Sequence, residues 1–165
     1  MKDYVIAKNE KEFISLAEKL GFSELIFIGN NDCSKLKSKI KLSSSKRIFK
    51  SDIHKDRNSI ESKKADLIYG FETLSRKDGF HFLNSGLNHV IVKLMKDKNV
   101  SYGLSFSQLI GVSKYEQAVI LGRIMQNIKL CKKYKVPIVV GSFANSPYLM
   151  RDSKDLLAFA RTLGL

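Results

Sequence analysis

Polar groups that could do chemistry recur in the second half of the chain, where predicted strands pass into loops and helices begin. The polar residues are His81, Ser85, Asn88, Ser105, Ser142 and Ser146, and the aromatic Phe143 lies among them. Hydroxyl, amide and imidazole groups in such places can bind a ligand or transfer a proton. In parallel βα structures the carboxyl ends of the strands carry function. We therefore expect these residues to form a functional surface of strand ends and loops, with Phe143 and the nearby Tyr148 as its exposed aromatic side chains.

The spacing of these residues does not match a known catalytic motif. The histidines are His54, His81 and His89, and none stands in His-x-His or His-Glu-x-x-His spacing. Ser142 lacks the Gly-x-Ser-x-Gly pattern of a nucleophile elbow, and neither glycine pattern of a phosphate-binding loop occurs. We accordingly predict no catalytic residue and no metal ligand, and interpret the polar residues as a docking surface.

The net charge of +13 and the isoelectric point near 9.7 are the most informative numbers in the composition. Charge so far from neutrality favours a polyanionic partner, of which nucleic acid is the commonest. Two predicted helix faces are basic. One carries His89, Lys93 and Lys96, and the other carries Arg123, Gln126, Lys129 and Lys133. An ordinary solvated helix face is the alternative for each cluster taken alone.

Alternating strands and helices must position these residues. Hydrophobic periodicity predicts strands at 5–7, 25–28, 47–49, 66–69, 100–105 and 138–141, and helices at 10–20, 34–40, 86–97, 114–134 and 153–164. Ser85 is the predicted N-cap of the helix at 86–97. Strands separated by helices are parallel, and both a doubly wound sheet and a barrel fit that order. A full barrel typically needs about 200 residues or more, so a barrel here would be shortened or incomplete.

Targeting and membrane signals are not predicted. A charged residue interrupts the apolar residues at the N-terminus immediately, unlike in a signal peptide. No apolar run approaches the roughly 18 residues that a membrane span needs. The sequence therefore predicts a cytoplasmic protein without a membrane partner.

Several segments in order resemble the ribonuclease P protein component 3 family of archaea, the counterpart of the thirty-kilodalton subunit of the eukaryotic enzyme. They are 81–93, 105–106, 122–127, 131–136, 142–144 and 146–151. The resemblance is specific from about residue 66 to 165 and weak before it, where a basic segment occupies 33–64. It implies one domain over 1–165, with an α/β, TIM-barrel-like βα fold related to the polymerase-and-histidinol-phosphatase (PHP) phosphoesterases. It also leads us to expect a further helix beyond Leu165, which a shortened family member or a truncated chain would lack.

The resemblance further implies a function. Family members are subunits of ribonuclease P, the endoribonuclease ribonucleoprotein in which RNA removes the 5′ leader of precursor tRNA. The expected partners are the RNase P RNA, protein component 2, the other protein subunits and, indirectly, precursor tRNA. Magnesium serves the RNA, and the chain itself is expected to bind no cofactor. The chain lacks the Asp-x-His-x-His of the phosphoesterase relatives, which argues against independent catalysis.

Eight basic residues are our candidates for neutralising RNA phosphates, together with the basic run between Lys35 and Lys64. They are Arg76, Lys77, Lys93, Arg123, Lys129, Lys132, Lys133 and Arg151. Two alternatives stay open. One is a metal-dependent phosphoesterase of the PHP type, and the other is a purely structural scaffold.

Overall fold

Strands and helices alternate along the computed structural model, which describes residues 1–7, 9–29, 33, 36–75, 78–81 and 83–165. The strands are β1 Lys2–Val5, β2 Glu24–Ile28, β3 Lys41–Ser45, β4 Ile48–Lys50, β5 Leu67–Tyr69, β6 Ser101–Ser105 and β7 Ile138–Gly141. The helices are α1 Glu10–Lys19, α2 Asp56–Glu61, α3 His89–Lys98, α4 Lys114–Tyr134 and α5 Ser153–Thr162. None of the helices within these ranges has the length and apolar character needed to cross a bilayer.

The strands form two parallel sheets that share one continuous segment. One sheet has the order β1-β2-β3 and the other β4-β5-β6-β7. Only Lys46 and Arg47 separate β3, which pairs with β2, from β4, which pairs with β5. At the opposite seam Val5 of β1 forms an isolated parallel bridge with Ala144, just beyond β7. The strands therefore follow a barrel-like ring that is not closed by a continuous ladder, which confirms the predicted TIM-barrel-like, incomplete fold.

The interior of this ring is filled by aromatic and aliphatic side chains. The ring of Phe143 stacks on those of Tyr4 and Tyr69, with centroid distances of 5.3 and 4.4 Å. Gly103 of β6 faces the same space, where a Cβ atom would lie 2.7 Å from Tyr69 Cβ and 2.9 Å from the Phe143 ring. As in other small barrels, the centre is a packed core rather than a pore.

The prediction that Phe143 is exposed was wrong, since only 2% of its surface is accessible. Its backbone has a φ of 49°, in the left-handed region that non-glycine residues seldom adopt. In this conformation, directly after β7, the Phe143 ring packs inside the barrel and is not exposed to solvent. Tyr148, the other aromatic residue that we expected outside, is 89% exposed.

Helix α3 begins three residues later than the sequence predicted. Gly86 has a φ of 75°, which is incompatible with a first helical turn. Asn88 is the N-cap, and its side-chain oxygen accepts hydrogen bonds from the backbone N–H groups of Val90 and Ile91, each at 3.0 Å. Ser85 is therefore not the cap. The predicted helix at 34–40 is also wrong over 36–40, which is not helical, while 34 and 35 lie outside the described residues.

The buried carboxyl group of Asp3 joins β1 to the end of β7. Asp3 is 0% exposed and accepts hydrogen bonds from the backbone N–H and the hydroxyl of Ser142, both at 2.6 Å. Burial raises the pKa of the Asp3 carboxyl, although both hydrogen bonds from Ser142 oppose that change. The group lies beside the bridge between Val5 and Ala144, so it helps to hold β1 against the end of β7.

We expect Asp3→Asn to change the pH dependence of stability. A carboxyl whose folded pKa is raised contributes stability that is present below its unfolded pKa and is lost as pH rises through the folded value. Asparagine keeps an acceptor for the Ser142 N–H and adds a donor for the hydroxyl, without a titrating charge. The variant should therefore gain stability relative to the parent as pH rises above the ordinary pKa of an aspartate, about 4, and through the raised pKa of the folded Asp3 carboxyl. Urea unfolding at several pH values measures this, and the exposed Asp97→Asn is the control; a difference that does not vary with pH would contradict the expectation.

Candidate nucleic-acid interface

A cluster of lysines lies where α3 and α4 pack side by side. The ammonium groups of Lys93 on α3 and Lys133 on α4 lie 5.8 and 5.7 Å from the centre of the Tyr134 ring. Lys129 stands one turn before Lys133, and all three lysines are exposed. We call Lys93, Lys129 and Lys133 the lysine patch. Among the residues that the structure describes, none of the three is ion-paired with a carboxylate.

A groove with an apolar floor runs beside the lysine patch. Its volume is about 520 Å³, and it is lined by Leu83, Gly122, Met125, Gln126, Leu130 and two patch lysines. Leu83 and Met125 are 37% and 40% exposed. Leu83 packs over Gly122 of α4, where a Cβ atom would lie 3.7 Å from Leu83 Cδ1, an ordinary van der Waals distance. An apolar floor and a cationic rim suit a ligand that presents both flat apolar surface and phosphate.

Arg123 does not belong to the lysine patch, and the prediction that it shares a face with Lys129 and Lys133 was wrong. Only 2% of Arg123 is exposed. From Arg123 to Lys129 an α-helix turns through about 600°, which leaves the two side chains about 120° apart. The guanidinium instead donates from Nε to the carboxylate of Asp78 at 2.8 Å and from Nη1 to the carbonyls of Glu72 and Ser75 at 2.7 Å. Its Nη2 lies 2.7 Å from the same carboxylate as an ion pair.

A second buried network lies one turn along α4. The carboxylate of Glu72, 0% exposed, accepts hydrogen bonds from the Tyr102 hydroxyl, from Asn127 Nδ2 at 2.8 Å and from Gln108 Nε2 at 3.2 Å. Ser85 donates to Asn127 Oδ1 at 2.8 Å. Burial, followed by the charge of Glu72, raises the pKa of the Tyr102 hydroxyl well above its ordinary value. Ser85, expected at a functional surface, is thus an interior residue that anchors its loop.

Together these contacts attach the segment between β5 and α3 to helix α4. We call Arg123 and Asn127, with their partners Glu72 and Asp78, the loop clamp. Sequence reasoning did not find Glu72, Asp78 or Asn127. The available signal was the spacing of Arg123 and Asn127, four residues apart and directly before Ile124 and Ile128, which places both polar side chains toward the buried side of the helix.

The other strand-end residues do not converge on one surface. Ser105 and Ser142 are 2% and 0% exposed, and Ser142 bonds to Asp3 inside the ring. Asn88 caps α3, whereas His81 is exposed and meets the edge of the neighbouring Phe80 ring at a centroid distance of 4.5 Å. Ser146 is half-buried and precedes the short 3-10 helix Pro147–Leu149. The expectation of a single surface built from all seven residues was therefore wrong, because four of them face the interior: Ser85, Ser105, Ser142 and Phe143.

The remaining basic candidates are dispersed. Lys132 donates to the carbonyl of Gly164 at 2.7 Å, so it points toward the end of α5 and away from its neighbour Lys133. Arg151 donates to the carbonyls of Tyr148 and Met150 and lies 5.5 Å from the centre of the Phe106 ring. Arg76 and Lys77 lie outside the described residues, as does Lys35.

Part of the charge in the basic segment 33–64 is already paired at the surface. Arg47 bonds to Asp66 and Arg57 to Glu61, both at 2.7 Å, and Lys55 lies 3.5 Å from Asp52. Exposed pairs of this kind contribute little to stability, because water and salt screen them. They nevertheless reduce the positive potential of the segment.

Within the ranges that the structure describes, no three histidine, cysteine, aspartate or glutamate side chains are placed so that they could hold one metal ion.

Comparisons of both the sequence and the fold with known proteins point to ribonuclease P proteins. The sequence model of the RNase P subunit p30 family matches residues 57–165. The chain is 36% identical over 112 residues to ribonuclease P protein component 3 of Methanococcus vannielii, covering 68% of this chain and 46% of that protein. It is 34% identical over 108 residues to the protein of the same name from Methanocaldococcus jannaschii, covering 66% and 44%. The chain thus spans less than half the length of these relatives.

Two solved structures share the fold. A chain in a cryo-EM structure of archaeal ribonuclease P with mature tRNA superposes with a TM-score of 0.75 at 23% identity, over 99% of this chain and 83% of that one. An uncharacterised protein in a crystal structure superposes with a TM-score of 0.55 at 10% identity, over 99% and 69%. At these identities the likeness establishes the architecture, and it extends to the strands before residue 57.

Proposed function

The chain belongs to the RNase P subunit p30 family, and on that basis we propose that it is a protein subunit of ribonuclease P. In this role it assists the catalytic RNA in removing the 5′ leader of precursor tRNA. The lysine patch is the observation that carries the proposal, because it lies within the matched residues and offers three exposed ammonium groups with no carboxylate partner among the described residues. We place this assembly in the cytoplasm.

The chemistry belongs to the RNA in this proposal, and the chain contributes electrostatics and position. Each ammonium group that contacts a phosphate releases condensed counterions, which gives strong, salt-dependent and sequence-independent binding. Neutralised phosphates repel one another less, so RNA strands can approach and bind the magnesium that the reaction requires. The chain needs no cofactor of its own for this task.

The partners follow from the family and from the distribution of charge. The RNase P RNA occupies the lysine patch, and precursor tRNA is reached indirectly through that RNA. Protein component 2 and the other protein subunits bind elsewhere on the chain. The relatives carry the name ribonuclease P protein component 3, and the structure with the higher TM-score is a chain of an archaeal ribonuclease P bound to mature tRNA; both support this assignment.

Neutralising the lysine patch is the direct test. We expect the triple variant Lys93→Gln, Lys129→Gln, Lys133→Gln to bind RNase P RNA more weakly and with less salt dependence. The slope of log K against log salt concentration should fall by about 0.7–0.9 for each lost phosphate contact. Fluorescence anisotropy with labelled RNA over a salt series measures the slope, and the reconstituted holoenzyme shows whether leader removal then requires more magnesium.

A charge-matched triple variant separates position from total charge. Lys11→Gln, Lys19→Gln and Lys154→Gln remove three exposed lysines on α1 and α5 and should leave the slope nearly unchanged. Equal losses for both triples would mean that only net charge matters. The proposal as a whole fails if omitting the chain leaves the rate, magnesium requirement and salt tolerance of the reconstituted enzyme unaltered.

A further inference from the structure

A second cavity opens at the carboxyl ends of the strands, away from the lysine patch. Its volume is about 360 Å³, and its polar lining comes from Lys50, Thr73, Ser105, Ser107, Gln108 and Asn145. The Tyr69 and Phe143 side chains also line it, so the packed interior of the ring forms its floor. In βα barrels this end of the strands is where ligands bind. We call this cavity the barrel mouth.

The charge of the barrel mouth favours an anion. Lys50 is the one charged residue in the described lining, and no ion pair with a described carboxylate involves it. Its aliphatic chain crosses Gly70, where a Cβ atom would lie 3.5 Å from Lys50 Cγ and 3.7 Å from Lys50 Cε. Gly70 has a φ of 83°, a left-handed conformation that favours glycine, and the two distances are ordinary van der Waals contacts. The exposed Lys50 side chain therefore lies along the lining of the mouth.

One buried polar atom at the mouth has no partner. Gln108 donates through Nε2 to the Glu72 carboxylate at 3.2 Å, which fixes the orientation of its amide. Its carbonyl oxygen Oε1 is then buried without a hydrogen bond from any described residue. An acceptor left unsatisfied in this way costs about 1–3 kcal/mol. Less than 1 Å² of Oε1 is accessible, so a ligand N–H or O–H group would satisfy it once the Gln108 side chain, which lines the mouth, turned toward the ligand.

From these two features we propose that the barrel mouth binds a single nucleotide. The phosphate contacts Lys50, and a sugar hydroxyl or a base N–H donates to Gln108 Oε1. A cavity near the lower end of the usual range for small-molecule sites, about 300–1,000 Å³, holds one nucleotide and not an oligonucleotide. The ligand is either a free nucleoside monophosphate or an unpaired nucleotide of an RNA strand, which present the same groups.

Titration of the full chain with AMP, followed by amide chemical shifts, tests the assignment. We expect shifts confined to the residues of the mouth, and affinity weakened about tenfold or more in Lys50→Met, as for the loss of one charge-assisted hydrogen bond. Lys46→Met is the control, since it removes another exposed lysine that does not line the mouth. Gln108→Met should weaken AMP but leave the affinity for inorganic phosphate unchanged, and its unfolding curve shows whether the fold persists.

Separate titrations identify the source of the nucleotide and keep the test independent of the lysine patch. A 5′-phosphorylated single-stranded RNA that shifts the same amides at far lower concentration than AMP identifies an RNA strand; equal or weaker binding identifies the free nucleotide. The triple lysine variant should bind AMP like the parent. Inorganic phosphate binding as tightly as AMP, or AMP binding unchanged in Lys50→Met, overturns the proposal.

Discussion

Replacing Arg123 with methionine should lower the free energy of unfolding by roughly 3–5 kcal/mol, the usual cost of breaking a buried ion pair. Methionine fills the aliphatic volume of the side chain but leaves the Asp78 carboxylate and the carbonyls of Glu72 and Ser75 without their donor. Asp78 retains 21% side-chain exposure, so water can compensate part of the loss and we expect the lower end of that range. Urea unfolding followed by circular dichroism measures the change.

Arg123→Lys distinguishes a clamp from a phosphate contact. Lysine keeps the charge but cannot reproduce the planar fork that reaches one carboxylate and two carbonyls together. If Arg123 acts as a clamp residue, both Arg123 variants lose most of the stabilisation that its contacts provide. RNA binding by the folded variants then keeps the salt dependence of the parent. Lys129→Met, on the exposed side of the same helix, should show the reverse pattern. A lysine variant as stable as the parent, with a reduced salt slope in Arg123→Met, would return Arg123 to the RNA-binding surface.

The loop clamp also explains how residues of α4 position the segment between β5 and α3. Arg123 and Asn127 hold Glu72, Asp78 and Ser85, and Gln126 donates to the carbonyl of Leu83 at 3.3 Å. The segment that carries His81 and the wall of the apolar groove is thus positioned by α4. The local stability of this segment depends on the contacts of the loop clamp. Weakening the loop clamp should therefore release the segment and open the groove before the barrel unfolds.

The sequence predicted the elements with the strongest local signals. Helix α4 begins and ends where expected because Ser113 and Glu116 form a capping box and Lys135 adopts a left-handed φ of 58°. Strand β3 was missed because its residues Lys41 to Ser45 are rich in serine and resemble a loop. Its strand character comes from the ladder with β2, and a single sequence does not contain that partner.

The candidate site was harder to predict than the fold, because the exposure of a side chain depends on its angular position around the helix and on the local backbone conformation. The lysine patch could be anticipated from charge and spacing. Separating Arg123 from it required the rotation of about 100° per helical residue and the positions of Ile124 and Ile128, which the comparison of basic residues alone did not use. The carboxylates that bind Arg123 and Asn127 lie about fifty residues earlier in the chain, and only folding brings them to α4. The resemblance to a family located the important segments without distinguishing a residue that binds a partner from one that positions a loop.

Phe143→Ala is the second substitution for which we expect a large effect, a loss of about 3–5 kcal/mol in the free energy of unfolding. The ring is 2% exposed and packs between Tyr4 and Tyr69, so its removal leaves a cavity that these rigid neighbours cannot fill. Alanine also keeps the unfavourable left-handed backbone at this position. Thermal and urea unfolding measure the loss.

The matched control is Tyr148→Ala, five residues later, which removes a ring that is 89% exposed and should change stability by no more than about 0.5 kcal/mol. Phe143→Leu, which keeps much of the volume, should fall between the two. Equal effects at both positions would mean that the ring of Phe143 is not part of the core.

Phe143 also forms the floor of the barrel mouth. Folded Phe143→Leu protein should therefore bind AMP more weakly, while its affinity for RNA through the lysine patch stays the same. One variant can thus separate the two surfaces.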